Sequence, residues 1–150
     1  MDKGKFLNLI RQLESSGGTN LEHKRMLAGP HKGDTAIGEY GMMPKTIDEF
    51  VNRRKNRKQF GPDEAIMKQL NPEELKDFIN ENDRIEQGLA GDIAERVLTR
   101  SKGDDDKAAL MWNAGHNKEV SSISDEKLNK SDYVKKFRLA QLRSLLANKE

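Results

Sequence analysis

Residues 4–18 read GKFLNLIRQLESSGG. Phe6, Leu7, Ile10 and Leu13 recur at the intervals of one helical face, which predicts a helix over about residues 4–15. Gly17 and Gly18 stop it, because glycine takes the left-handed backbone that closes a helix without steric cost. The helix ends in an acid, Glu14, although the macrodipole is negative at that end and favours a base. Glu14 follows Leu7 by seven residues and Ile10 by four, so at roughly 100° per residue it shares their face. A carboxylate on a core-facing stripe is partly desolvated, which disfavours its charged form and suits a general acid near neutral pH. The plain alternative is an acid at a frayed helix end, turned to water.

The remaining chain reads as further helices around one long irregular stretch. Residues 17–40 hold five glycines and a proline with little periodicity, as in a long loop or a small β element. Loops of that length in compact domains are often functional. Pro44 opens the next helix, and Asn71 before Pro72-Glu73-Glu74 is a cap, a proline and two acids in starting order. Ile85, Leu89, Ile93 and Val97 mark a helix over about 83–100. Asp104–Asp106 can cap KAALMWNA, which Gly115 ends. Ser131 caps a last helix whose buried face is expected from Tyr133, Val134, Phe137, Leu142, Leu145 and Leu146. The expectation is a mainly α protein, one domain over residues 1–150, with six or seven helices.

Composition narrows the function less than the fold. Charged residues make up 35% of the 150 and hydrophobic ones 34%, and a net charge of +2 is too small to dictate a nucleic-acid partner. With no cysteine, disulfides and thiolate metal sites are excluded. No apolar run approaches the roughly 18–20 residues of a membrane span. No secretory signal is read at the N-terminus, where an amphipathic pattern starts at once.

Two more segments bear on chemistry. Residues 36–46 read AIGEYGMMPKT and residues 108–115 read AALMWNAG. With ESSGG at 14–18, they resemble in order three signatures of the goose-type lysozyme and lytic transglycosylase family. These are an E-S pair ending a helix, a G-x-Y-Q-x-M-P-x-T segment opening the next, and A-Y-N-A-G ending a later one. Tyr133-Val134 is similar to the family's Tyr-Val pair near the last helix, and the resemblance runs from about residue 4 to 140, weaker through 50–80.

The resemblance implies a lysozyme-like fold and cleavage of peptidoglycan between N-acetylmuramic acid and N-acetylglucosamine, without a cofactor. It implies that Glu14 is the single catalytic acid and that Ser15 binds substrate or steadies the site. Tyr40, Met42 and Met43 would line the sugar cleft, as would Trp112, Asn113, Gly115 and Tyr133. Two positions depart from the family pattern: Gly41 stands at the glutamine and Trp112 at the tyrosine. An indole donates a hydrogen bond but does not accept one, so the contact made there must differ.

A lone glutamate leaves two chemical outcomes. Hydrolysis by paired carboxylates needs a nucleophile or a base across the scissile bond; Asp34 and Glu39 of the long loop are the candidates. Without one, the muramic N-acetyl group assists departure, and the glutamate takes the proton of the 6-hydroxyl to close a 1,6-anhydro ring. That is lytic transglycosylation, the preferred reading, with a hydrolytic muramidase or a non-catalytic glycan-binding module as alternatives. The G-x-Y-x-M-P-x-T form is similar to virion-associated members of the family. It implies action on the bacterial cell wall by a phage virion or tail component beside other virion proteins, or by a domain cut from a longer chain.

Other candidates read as structural. His23, His31 and Asp34 lack the spacing of a metal site, and His23 suits positioning of the loop. NRRKNRK (52–58) lacks interleaved aromatics and reads as a solvated face rather than a nucleic-acid surface.

Overall fold

The N-terminal stripe and the helix-start signals mark the ends of most helices in the computed structural model, which describes residues 1–27 and 31–147. Gly29 and Pro30, counted in the long loop, lie outside the described residues. The helices are α1 (Lys3–Ser15), α2 (Pro44–Asn56), α3 (Pro62–Met67), α4 (Pro72–Glu81), α5 (Asp83–Arg100), α6 (Asp105–Ala114), α7 (Asp125–Lys130) and α8 (Asp132–Ala147). The structure is mainly helical, and no strand forms among the described residues. Two isolated antiparallel bridges, Arg25 with Thr35 and Ile37 with Met42, mark the stretch after α1.

Local chemistry sets the starts. Pro44 is the first residue of α2. Asn71 caps α4 in a reciprocal box: its side chain accepts from Glu74 N–H at 2.9 Å, and Glu74 accepts from Asn71 N–H at 3.1 Å. Asp104 accepts from Lys107 N–H at the start of α6, and Ser131 from Val134 N–H at the start of α8. Eight helices form among the described residues against six or seven expected. The added ones, α3 and α7, are six residues each, too short to show a helical period.

The chain parts into two compact units, Met1–Leu13 with the chain from Ile93 onward, and Glu14–Asp92. In the first unit Phe6 is fully buried against Phe137 and Trp112, with ring centroids 5.8 and 6.0 Å apart. Ile10, Val97, Met111 and Val134 complete that core. In the second, Ile37, Met42, Ile47, Val51, Ile79 and Leu89 are buried. Arg54 of α2 ties α3 and α5 together there, pairing with Glu64 and Asp92 at 3.0 Å each.

Three expectations are corrected. In α1 the deepest residues are Phe6, Leu9 and Ile10, while Leu7 and Leu13 are half-buried. In α8 the buried face is Val134, Phe137 and Ala140, whereas Leu142, Leu145 and Leu146 are exposed and Tyr133 half-buried. At 1.5 Å per residue α8 is about 24 Å long and α6 about 15 Å, so α6 covers only part of it. The basic run is not wholly solvated: Arg53 pairs with Glu49 over the Phe50 ring, and Arg54 is held as above.

Candidate functional site

Glu14 sits one residue before the end of α1 and is half-buried. The chain leaves the helix through three successive left-handed residues, Ser16 (φ 51°), Gly17 (φ 76°) and Gly18 (φ 91°). Ser15 holds this exit. It is 1% exposed, its Oγ accepts from Gly18 N–H at 2.9 Å, and its carbonyl accepts from Asn20 N–H at 2.9 Å. The structure therefore builds Ser15 into the turn that follows the helix.

Against Glu14 packs a tight turn over residues 37–42. Ile37 and Met42 exchange both backbone hydrogen bonds, at 2.8 and 2.9 Å. Between them Gly38 (φ 78°) and Gly41 (φ 62°) take left-handed conformations that favour glycine. A Cβ at Gly41 would stand 2.6 Å from the Glu14 carboxyl carbon, and one at Gly38 would stand 2.7 Å from that of Glu86. One turn thus rests on two carboxylates. This explains the glycine at 41: any side chain there would strain the backbone and displace the Glu14 carboxylate.

Glu86, in the first turn of α5, is 2% exposed. Its Oε1 accepts from Glu39 N–H at 2.7 Å, and the N–H of Tyr40 donates to the same carboxylate. Burial pushes its pKa up to about 7, with the negative charges of Glu39 and Asp83 adding to the rise and the two N–H donors opposing it. On the same turn His23 Nε2 lies 2.8 Å from the Gly38 carbonyl oxygen. A carbonyl only accepts, so Nε2 carries the hydrogen. His23 thus positions the loop, as its place in the sequence suggested. Glu86 was missed there, although it lies three residues before Leu89 and seven before Ile93 on the same buried stripe.

The other expected residues are distributed as follows. Tyr40 and Met42 are 6% and 2% exposed, members of the core of their unit, and Met43 is half-buried at the start of α2. Asp34 Oδ2 lies 3.5 Å from Lys45 Nζ, and both residues line a cavity of about 340 Å³ floored by Ile47, Val51, Met67 and Leu75. Glu39 flanks Glu86. Trp112, Asn113, Gly115 and Tyr133 belong to the other unit. There Trp112 meets Phe6 edge-on, Asn113 is exposed, and Gly115 (φ 138°) closes α6 through its N–H to the Met111 carbonyl. Beside them His116 is 7% exposed and accepts from Arg96 Nε at 3.0 Å. Among the described residues no three His, Asp or Glu side chains converge as metal ligands. No helix among them is long and apolar enough to cross a membrane.

No family model, no curated protein and no solved structure matches the chain.

Proposed function

We propose that the chain cleaves peptidoglycan glycan strands at the β-1,4 bond between N-acetylmuramic acid and N-acetylglucosamine, with Glu14 as general acid and then base. The observation that supports this reading most is the seating of the Glu14 carboxylate against the Gly41 backbone. Two of the three segments that resemble the lytic transglycosylase family therefore meet at the acid. In this reading Glu14 protonates the glycosidic oxygen as the muramic N-acetyl group assists departure. The glutamate then takes the proton of the 6-hydroxyl, whose oxygen closes on C1 to give a 1,6-anhydro end.

A transglycosylase is favoured over a muramidase because Asp34, the first loop acid that could activate a water, faces the Lys45 ammonium at 3.5 Å. The setting proposed with this reading is the bacterial cell wall, reached by a phage particle or tail. Detection of the polypeptide in purified particles tests that setting.

The activity is tested by incubating purified cell wall with the protein and its Glu14→Gln variant. The wild type should release soluble muropeptides with 1,6-anhydromuramic ends by mass spectrometry, and folded Glu14→Gln should release none. Reducing ends would convert the reading to a muramidase. Sedimentation with cell wall and no soluble product would make it a binding module. Full activity of Glu14→Gln would overturn the role of Glu14.

A further inference from the structure

We propose that Glu86 is a positioning residue for Glu14: with His23 on the same turn, its buried carboxylate fixes the backbone of residues 38–41, and Gly41 in turn seats the Glu14 carboxylate. The catalytic consequence rests on the reading of Glu14 as the general acid; the structural coupling does not.

The geometry carries this in three steps. First, the turn is held from two directions. The N–H groups of Glu39 and Tyr40 point at the Glu86 carboxylate, and the Gly38 carbonyl is taken by His23 Nε2 at 2.8 Å. Second, Gly38 packs directly on Glu86, with no space for a side chain between them. Its Cβ position falls on the Glu86 carboxyl group, which is 2% exposed and so has little freedom to move aside. Third, the far end of the same turn is in contact with Glu14, because the Cβ position of Gly41 falls on that carboxyl group. A shift of the turn at Gly38 therefore moves the surface on which Glu14 rests.

The ionisation state of Glu86 decides how well the clamp holds. As a carboxylate it accepts from both N–H groups with full charge; as a neutral acid one oxygen becomes an O–H donor, the other accepts without charge, and the pair is held less well. The charged groups that act on it are Glu39 of the turn and Asp83 of its own helix, both negative, and burial adds to their effect. The turn thus tightens as pH rises through about 7, and the environment of Glu14 follows it.

The experiment is an NMR titration of the whole chain between pH 5 and 9, following the amides of residues 38–41 and the side-chain carboxyl carbon of Glu14, assigned through Glu14→Gln. The amides of Glu39, Tyr40 and Gly41 should report a common midpoint near 7, and the Glu14 carboxyl carbon should show an inflection at that same midpoint. In Glu86→Gln this inflection should vanish from both. His23→Ala should displace the Gly38–Gly41 amides and the Glu14 carboxyl carbon at fixed pH, and His23→Gln, which keeps a donor, should restore them. On cell wall, Glu86→Gln should lower kcat by about tenfold or more, as misplacement of a catalytic group does, with KM changed little.

A Glu14 resonance in the wild type that ignores the transition of the turn amides would overturn the proposal without recourse to any variant. So would a Glu14 titration identical in wild type and Glu86→Gln. A wild type without activity on cell wall would overturn the glycosidase reading instead, leaving the titration to decide the coupling.

Discussion

Glu86 carries an electrostatic cost that can be read out as stability. Its carboxyl is raised from 4.5 to about 7 in the folded protein, with burial as the first cause. Between those values the folded chain keeps a proton that the unfolded chain has released. Stability must then fall as pH rises through this window, since the folded state binds more protons. At roughly 1.4 kcal/mol per pKa unit the loss is about 3 kcal/mol. Urea unfolding at pH 5 and pH 8 should show it in the wild type, and Glu86→Gln should remove that part of the difference. Gly41→Ala tests the other end of the turn. A left-handed alanine costs about 1–2 kcal/mol, and its Cβ would push the Glu14 carboxylate from its seat. Under the proposed glycosidase reading, loss of cell-wall release at modest loss of melting temperature is the expected result. Both acids lie on apolar helical stripes, so both were legible in principle. Glu14 stood out because the glycines beside it end its helix, whereas Glu86 lies inside the run whose spacing of four is carried by Ile85, Leu89, Ile93 and Val97.

Among the elements, what could be read from sequence is what is encoded locally. A cap, a proline or a glycine acts on its own helix, so the starts of α2, α4, α6 and α8 and the end of α1 follow from nearby residues. Which face a helix buries depends on its neighbours, and there α8 departs from its pattern. Leu142, Leu145 and Leu146 keep helical spacing but are 57%, 54% and 64% exposed, while Ala140 supplies the last buried contact. Replacing Leu142 and Leu145 with lysine should change stability by no more than about 0.5 kcal/mol each, as at other surface positions. Phe137→Ala should cost about 3–5 kcal/mol, because Phe137 is wholly buried against Phe6. Denaturant midpoints at equal m-value separate the two outcomes. The 37–42 turn was legible as glycine-rich but not as a clamp, because its partners Glu86 and His23 come from distant positions.

At the scale of the whole chain, the unit from Ile93 onward is completed by the first thirteen residues, and Phe6 is a wholly buried side chain of theirs that packs on it. It lies 5.8 Å from Phe137 and 6.0 Å from Trp112 between ring centroids, with 0% exposure. Closing contacts between such distant parts of a chain costs loop entropy that only tight burial offsets. Removing the ring should therefore loosen the whole unit rather than one helix end. Truncation of a buried phenylalanine costs about 3–5 kcal/mol. For a urea slope of about 2 kcal/mol per molar, that lowers the midpoint by roughly 2 M. Trp112 is the chain's one tryptophan and touches Phe6 directly, so its fluorescence reports this unit from within. In Phe6→Ala the emission should shift to the red before unfolding, as the indole loses its edge-on neighbour and gains water, and its transition should move to lower urea. An unshifted emission with an unchanged midpoint would mean that the N-terminal helix contributes little to this core.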